Sequence, residues 1–288
     1  MEGPSQRHFA AQRIDSNSMK SCAIFYNDNR EDFTSWILAR MSKDTALKYI
    51  RYTDRYLTDL PLQDQCDIVQ LSSTVQTGWN WYAKALRNYI HFLEDRNILT
   101  SDQAIEWKKP LSMKSTNPDT WVPDVEDIQN VLKAAQNPTY VHFMQLLLYS
   151  GIRTTEAIHI VHNFDVKRLH FSGDVAYYDI DWNRGNKHAI KAFMPSDFAR
   201  TLQRTPDISI NAVQKYFRVR GIGLKYCRNL FIDQCVKVGI SESLIQYMIG
   251  HTNGSVLMTN YLEKLNNSTV AYAKVSTNLQ DIINTRKQ

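Results

Sequence analysis

The stretch from Gly221 to Tyr261 constrains the fold of this chain more than any other, because glycines and apolar spacing divide it into short helices and turns. After the first two glycines, apolar side chains recur at helical spacing, at Leu224, Cys227, Phe231 and Cys235. Gly239 and Gly250 are predicted to end two successive helices. A further helix is predicted to begin at Gly254–Ser255 and to carry Tyr261.

The same stretch concentrates positive charge near a predicted helix N-terminus. Lys225 and Arg228 lie one turn apart on one face, where two cations oppose the helix dipole. A bound anion would relieve that cost, and phosphate is the simplest candidate. Taken singly, a Lys-x-x-Arg pair is more often a solvated face, His251 a loop residue and Tyr261 a core residue. Their order and spacing together favour a phosphate site.

A second arginine motif lies upstream of this stretch. The apolar run from Val141 to Tyr149 predicts a buried helix that ends at Gly151. Arg153 follows, and Glu156 is predicted in the first turn of the next helix, where its carboxylate can orient the guanidinium. An Arg–Glu pair is by itself more often structural. The downstream motif from Lys225 to Tyr261 is what favours a functional role for this pair.

One region, from Phe171 to Met194, is predicted to form a β-hairpin, because apolar and polar residues alternate on both sides of a turn at residues 184–187. Arg184 and Lys187 are then at the tip of the hairpin. His159 and His162 are three residues apart on an apolar helix without acidic or cysteine partners, so we interpret them as core or boundary residues and not as metal ligands.

The N-terminal part from residue 31 to about residue 99 is helical by pattern, with aromatic residues interleaved with basic ones. A plain helical bundle with a solvated surface and a module that contacts a DNA backbone explain this pattern equally well. The basic residues that would contact DNA are Lys43, Lys48, Arg51, Arg55, Lys84 and Arg87.

Composition narrows the class of protein. The net charge of +5 and the pI near 8.9 permit nucleic-acid binding without requiring it. The four cysteines have no disulfide or Cys-x-x-Cys spacing, and there is neither an apolar leader nor a membrane-length run. We therefore expect an intracellular protein without a membrane partner. The polar start predicts a flexible lead at 1–25, and the helical pattern predicts a domain at 26–105. A proline-containing composition shift predicts a linker at 106–122, with a second domain at 123–288.

The combined motifs resemble those of the tyrosine recombinases, also called the phage integrase family. The residues that carry the resemblance are Ser150-Gly151-Ile152-Arg153-x-x-Glu156, Lys225-x-x-Arg228, Gly250-His251 and Tyr261. The family usually has histidine where Lys225 stands. Here the position holds a lysine, and His251 and Tyr261 are ten residues apart. This pattern is most similar to that of the integrases of archaeal spindle-shaped viruses and related plasmids.

The resemblance implies a mainly α fold with a small antiparallel β-sheet, an α+β arrangement in which a helical core-binding domain and a catalytic domain form a clamp on DNA. It implies that Arg153, Lys225, Arg228 and His251 bind the scissile phosphate, that Glu156 supports them and that Tyr261 is the nucleophile. The hairpin is implied to supply a general acid. Lys187 is favoured over Arg184 because arginine hardly deprotonates, with Lys191 in reserve. Arg184 and Lys191 are otherwise expected to contact DNA.

The implied activity is site-specific DNA cleavage and rejoining through a 3′-phosphotyrosyl intermediate, without metal, nucleotide or other cofactor. The implied partners are double-stranded DNA with specific attachment sites and further copies of the chain, as dimers or tetramers on DNA, with no small-molecule substrate. Three alternatives remain open: a Xer-like resolvase of replicon dimers, a type IB topoisomerase, and an inactive relative that only binds DNA.

Overall fold

The computed structural model describes residues 23–58, 60–117, 119–184, 187–250 and 261–284. The chain divides into two compact units, Met1–Asn117 and Pro118–Gln288. This division falls inside the interval 106–122 that the sequence predicts as a linker, whereas most of the predicted lead lies outside the described residues. No helix in the described ranges is long and apolar enough to cross a membrane.

The first unit is helical with one small antiparallel strand pair, β1 (Ile24–Phe25) with β2 (Pro61–Leu62). Its helices are α1 (Tyr26–Arg40), α2 (Lys43–Leu57), α3 (Gln65–Ser73), α4 (Trp79–Asp95) and α5 (Ser101–Lys108). Capping boxes fix the start of two of them. The Asp64 side chain accepts from the backbone of Cys66 and Asp67 at the start of α3, and Thr100 pairs reciprocally with Gln103 at the start of α5.

An aromatic cluster holds α1 against α4. The ring of Phe33 lies edge-on to Tyr89 at 5.3 Å and to Phe92 at 5.7 Å between centroids, and all three are fully buried. Trp107 and Leu111, which the sequence assigns to the linker, are buried in the same core. The first unit therefore has its own hydrophobic core, which extends past the end of α5.

The second unit combines helices with a three-stranded antiparallel sheet in the order β3–β4–β5. The strands are β3 (Leu169–Ser172), β4 (Val175–Arg184) and β5 (Lys187–Pro195). The helices are α6 (Val125–Ala134), α7 (Pro138–Ser150), α8 (Thr154–His162), α9 (Ser196–Ala199), α10 (Ile210–Arg218), α11 (Tyr226–Lys237), α12 (Glu242–Met248) and α13 (Tyr261–Asn284).

The sequence predicts the β4–β5 hairpin but only part of the sheet. A third strand, β3, pairs with β4 from Leu169↔Tyr178 to Ser172↔Val175. Four residues are too short to show the alternation by which strands are recognised, which is why the pattern assigned only part of this segment to the hairpin region. A register shift between Asp179 and Trp182 interrupts the β4–β5 pairing.

The long helix α13 is anchored in the core of the second unit through Tyr272. The buried Tyr272 hydroxyl donates to the Tyr149 backbone oxygen of α7 at 2.9 Å. Its ring also stacks on Phe193 of β5 and Phe231 of α11, at 5.9 and 6.4 Å between centroids. Tyr261, the first residue of α13, therefore begins a helix that is fixed further along by three other elements. The predicted mainly α fold with a small antiparallel sheet is confirmed.

Candidate active site

Arg153 is held at the N-terminus of α8 by the carboxylate that the sequence predicts beside it. The Arg153 backbone amide donates to Glu156 Oε2 at 2.7 Å, and Nη1 donates to Oε1 at 2.6 Å. Glu156 is only 5% exposed, so this pair is shielded from water. Nη1 also approaches the Gly250 backbone oxygen at 3.4 Å. The guanidinium is thus fixed before any ligand arrives.

Arg228, on the first turns of α11, lies in the same site. Its Nη1 donates to the backbone oxygens of Gly151 at 3.0 Å and Ile249 at 2.7 Å. Burial, and next the neighbouring charge of Arg153, lower the pKa of Arg228 to about 10, while Glu156 raises it. The guanidinium is therefore still charged at neutral pH, but in a place where its charge is poorly compensated.

The second amino group of Arg228 indicates which kind of ligand the site could bind. Among the described residues, its Nη2 atom is buried with no hydrogen-bond partner. A buried donor without a partner costs free energy, and more so when it carries charge. Glu156 pairs with Arg153, whereas Arg228 donates to backbone oxygens, so within the described residues the positive charge of Arg228 has no carboxylate of its own. An anion with several acceptor oxygens, such as a phosphodiester, meets both requirements.

Lys225 occupies a different environment from Arg228, although it lies only one turn away. It is the N-cap residue of α11, and its side chain is 65% exposed. Its ammonium is hydrogen-bonded to the carboxylate of Asp119, which also accepts from the Tyr226 hydroxyl at 2.8 Å. The ammonium lowers the pKa of Asp119, and the carboxylate in turn raises the pKa of Lys225. Sequence reasoning predicted the lysine but missed its carboxylate.

Several further predicted residues fall partly or wholly outside the described part of the chain. His251 lies outside it, as does the predicted helix start at residues 254 and 255. Tyr261 is described only as the first backbone position of α13. Arg184 and Lys187 face each other as the last pair in the β4–β5 register, with their side chains outside the description.

Lys191, the reserve candidate on the hairpin, is engaged within the sheet. It is 8% exposed, forms an ion pair with Asp179 and lies over the Tyr177 ring at 4.8 Å. His170 Nε2 contacts the other oxygen of the same carboxylate at 3.0 Å. In this arrangement the ammonium is directed at Asp179 and is largely covered, which favours a structural role over a DNA contact.

The predicted DNA-contacting residues of the first unit are all exposed, namely Lys43, Lys48, Arg51, Arg55, Lys84 and Arg87. Two of them share an aromatic platform. The ammonium groups of Lys48 and Lys84 lie 4.8 and 5.9 Å from the ring centroid of Trp81, which is itself 39% exposed. Sequence reasoning missed Trp81. Its i,i+3 spacing to Lys84 was visible, but the contact with Lys48 comes from another helix.

Within the described ranges, no group of three or more His, Cys, Asp or Glu side chains is arranged to hold a metal ion. His159 stacks on Trp182 at 4.5 Å with an interplanar angle of 7°, and His162 Nε2 contacts the Ile208 backbone oxygen at 2.8 Å. Both histidines therefore contact other parts of the second unit.

Comparison with solved structures places this architecture among known folds. A lambda integrase dimer bound to a COC′ core site superposes with a TM-score of 0.55 at 15% identity, covering 80% of this chain and 96% of that one. A lambda integrase tetramer bound to a Holliday junction gives a TM-score of 0.58 at 14% identity, with 86% and 84% covered. A search of curated protein sequences finds no match. The fold is that of the tyrosine recombinases.

The family assignment is more specific than the fold. Residues 120–278, more than half of the chain, match the model of the archaeal phage integrase family, and the chain belongs to that family. The resemblance inferred from the arginine, lysine and tyrosine motifs is thereby confirmed. The likeness to integrases of archaeal viruses agrees with the description of the family.

Proposed function

We propose that this protein is a site-specific DNA recombinase of the integrase type, which cleaves and rejoins DNA through a 3′-phosphotyrosyl intermediate without metal or nucleotide. The observation that carries the proposal is the Arg153–Arg228 pair, with one buried guanidinium nitrogen that lacks a partner among the described residues. Family membership supports the same conclusion from independent evidence.

The two arginines would bind the non-bridging oxygens of the scissile phosphate. Arg153 is already oriented by Glu156 and Arg228 by two backbone oxygens, so little reorganisation accompanies binding. The charge that grows on these oxygens during substitution is then met by fixed cations. Lys225 and His251 would add charge-assisted hydrogen bonds to the same phosphate.

The covalent step would use Tyr261 as nucleophile. Its phenolic oxygen forms a bond to phosphorus while the bond from phosphorus to the 5′ oxygen breaks, and Lys187 donates a proton to the departing oxygen. Rejoining reverses the step with a 5′ hydroxyl from another strand. The phosphotyrosyl bond conserves the energy of the original phosphodiester, so neither nucleotide nor cofactor is consumed.

Double-stranded DNA is the proposed partner, with self-association on it. Two of the solved structures with this fold are lambda integrase assemblies on DNA, a dimer on a core site and a tetramer on a Holliday junction. In this chain the exposed lysines around Trp81 supply a surface for phosphate contacts, with Arg51 and Arg55 on the same helix as Lys48.

The test is capture of a covalent adduct on a nicked suicide substrate, built from DNA that the protein selects out of a random-sequence pool. We expect an adduct with the natural chain and none with Tyr261→Phe, while DNA affinity stays within about twofold because no phosphate-binding charge is removed. Tyr140→Phe is the matched control, since Tyr140 lies near the start of α7, at the end opposite Gly151, and its ring packs against Tyr216. Adducts formed by the Tyr261→Phe variant would exclude Tyr261 as nucleophile.

This experiment, together with two plasmid assays, separates the alternatives. Specific binding without adduct in the natural chain would assign an inactive DNA-binding relative. Relaxation of supercoiled plasmid without any preferred sequence would assign a type IB topoisomerase. A Xer-like resolvase would convert plasmid dimers that carry two selected sites into monomers and would not join an excised circle to a target.

A further inference from the structure

The segment Asp119–Trp121 lies against the N-terminus of α11 and contacts three side chains in the first turns of that helix. The Asp119 carboxylate accepts from Lys225 and from the Tyr226 hydroxyl. The Trp121 ring is edge-on to Tyr226 at 4.4 Å between centroids. The Trp121 backbone oxygen accepts from Asn229 Nδ2 at 2.7 Å. We call residues 119–121 the strap.

The strap places a negative charge where the helix favours one. The N-terminus of α11 carries the positive end of the helix dipole, and Lys225 adds a full positive charge there. Asp119 compensates both, and the Trp121 backbone amide at 3.4 Å from its Oδ1 atom orients the carboxylate. Asp119 is thus a protein-supplied anion bound to the lysine that the proposed function assigns to the phosphate.

The contact is weak enough to exchange. Lys225 and Asp119 are 65% and 45% exposed, and ion pairs so exposed contribute little because water and salt screen them. A phosphodiester held by the guanidiniums of Arg153 and Arg228 would bring its charge to the same region. A carboxylate and a phosphate repel each other, so a phosphate that binds Lys225 weakens the pairing of Lys225 with Asp119.

We infer that Asp119 is a positioning residue that occupies the Lys225 ammonium in the DNA-free protein and gives it up to the scissile phosphate. The inference rests on the proposed role of Lys225 in binding that phosphate. It follows that the strap opposes binding of the scissile phosphate by the free energy of one exposed ion pair. Through this pair, removal of the Asp119 carboxylate accelerates adduct formation only when Lys225 is present.

The first experiment is a double-mutant cycle on adduct formation under single-turnover conditions with subsaturating suicide substrate. Asp119→Asn is expected to accelerate adduct formation about two- to fivefold, the range that corresponds to an exposed ion pair. In a Lys225→Met background the same substitution is expected to lose the part of this acceleration that depends on Lys225. A slower reaction of Asp119→Asn, or an equal acceleration in the Lys225→Met background, overturns the inference.

Removal of any acidic residue makes the protein more attractive to DNA, so a charge-matched control is needed. Asp233→Asn removes the same charge from α11, where Asp233 pairs with Lys237 at 2.7 Å instead of with Lys225. Its effect on the rate is subtracted from that of Asp119→Asn, and equal effects of the two variants overturn the inference. A Lys225→Met variant as fast as the natural chain would instead remove Lys225 from the proposed mechanism, which is a separate failure.

The second experiment does not depend on catalysis. In protein labelled with 5-fluorotryptophan, the Trp121 signal in the ¹⁹F spectrum is assigned by its loss in Trp121→Phe. Titration with inorganic phosphate is expected to move it, since the ring leaves Tyr226 when Asp119 is displaced. Asp119→Asn is expected to move it without phosphate, and Asp233→Asn to leave it in place. A Trp121 signal that neither phosphate nor Asp119→Asn moves overturns the inference, even in a protein that forms no adduct.

Discussion

Arg228 donates a hydrogen bond of 3.0 Å to the backbone oxygen of Gly151, the residue that ends α7 two positions before Arg153. The second arginine is therefore fixed to the turn that presents the first, although 77 residues separate Gly151 from Arg228. Ile249 and Gly250 complete the arrangement, since their backbone oxygens accept from Arg228 and Arg153 respectively. Backbone geometry at two glycine turns thus sets the distance between the guanidiniums.

Gly151→Ala is expected to destabilise the second unit strongly. Gly151 has a φ of 61°, and a Cβ atom there would lie 2.3 Å from a ring carbon of Phe231, which is fully buried. Left-handed strain costs about 1–2 kcal/mol and overpacking about 1–3 kcal/mol, so we expect a loss of roughly 2–5 kcal/mol in the free energy of unfolding. Urea denaturation measures it.

Gly173→Ala is the matched control for this substitution. Gly173 has nearly the same φ, 60°, but nothing lies within 4 Å of the added carbon. Its cost is expected to be the conformational strain by itself, about 1–2 kcal/mol. If the two variants lost the same free energy of unfolding, overpacking against Phe231 would not contribute to the cost of Gly151→Ala.

Sulfate, an analogue of the phosphate dianion, is expected to stabilise the second unit by binding at Arg228. At ten times its dissociation constant, a ligand of the native state adds about 1.4 kcal/mol, which raises a melting temperature by roughly 3–6 °C. Arg228→Ala should lose this increment, because it removes the buried nitrogen that lacks a partner among the described residues. Thermal scans across a sulfate titration give the result.

Sulfate also stabilises proteins by exclusion from their surfaces, so a second arginine variant is required. Arg218→Ala removes an exposed guanidinium from α10 and should keep the specific increment. If sulfate raised the melting temperature equally in the natural chain, Arg218→Ala and Arg228→Ala, the anion would not be bound by the charge of Arg228.

Lys187→Ala is expected to slow cleavage of an ordinary phosphodiester by roughly 10²–10⁴-fold, the contribution of a positioned general acid. A substrate with sulfur in place of the bridging 5′ oxygen has a leaving group that hardly needs a proton. The variant should therefore regain most of its lost rate on that substrate, as measured by single-turnover adduct formation.

Arg153→Ala is the control without rescue, because stabilisation of the non-bridging oxygens is still needed when sulfur departs. Arg184→Ala and Lys191→Ala complete the series. Since Lys191 is largely covered and paired with Asp179, we expect its variant to show no selective rescue. Rescue at Arg184 or Lys191, with none at Lys187, would reassign the acid.

Lys48→Ala and Lys84→Ala are each expected to lower the salt dependence of DNA binding. Both ammonium groups lie over the exposed ring of Trp81, and loss of one phosphate contact reduces the slope of log affinity against log salt by about 0.9. Lys109→Ala serves as comparison, because Lys109 pairs with Glu106 at 2.5 Å. Binding measured at several salt concentrations gives the slopes, and unchanged slopes for Lys48→Ala and Lys84→Ala would place DNA elsewhere.

Local chemistry explains which features the sequence could predict. Gly151 and Gly239 end helices because positive φ suits glycine, and Glu156 reaches Arg153 because it lies three positions further along, within one helical turn. The pairing of Lys225 with Asp119 spans 106 residues, and no periodicity encodes a contact of that separation. The contact of Lys48 with Trp81 was equally hidden, since it depends on how α2 packs against α4.

The two hydrophobic cores make heat unfolding of this chain a composite event. One core contains Phe33, Tyr89 and Trp107, the other Phe231 and Tyr272, and each belongs to its own compact unit. Chains built in this way commonly depart from a single all-or-none transition. Calorimetry of the natural chain should accordingly give an enthalpy ratio, calorimetric to van 't Hoff, above one. Each melting temperature measured for this chain must then be assigned to one of the two cores before it describes the stability of either unit.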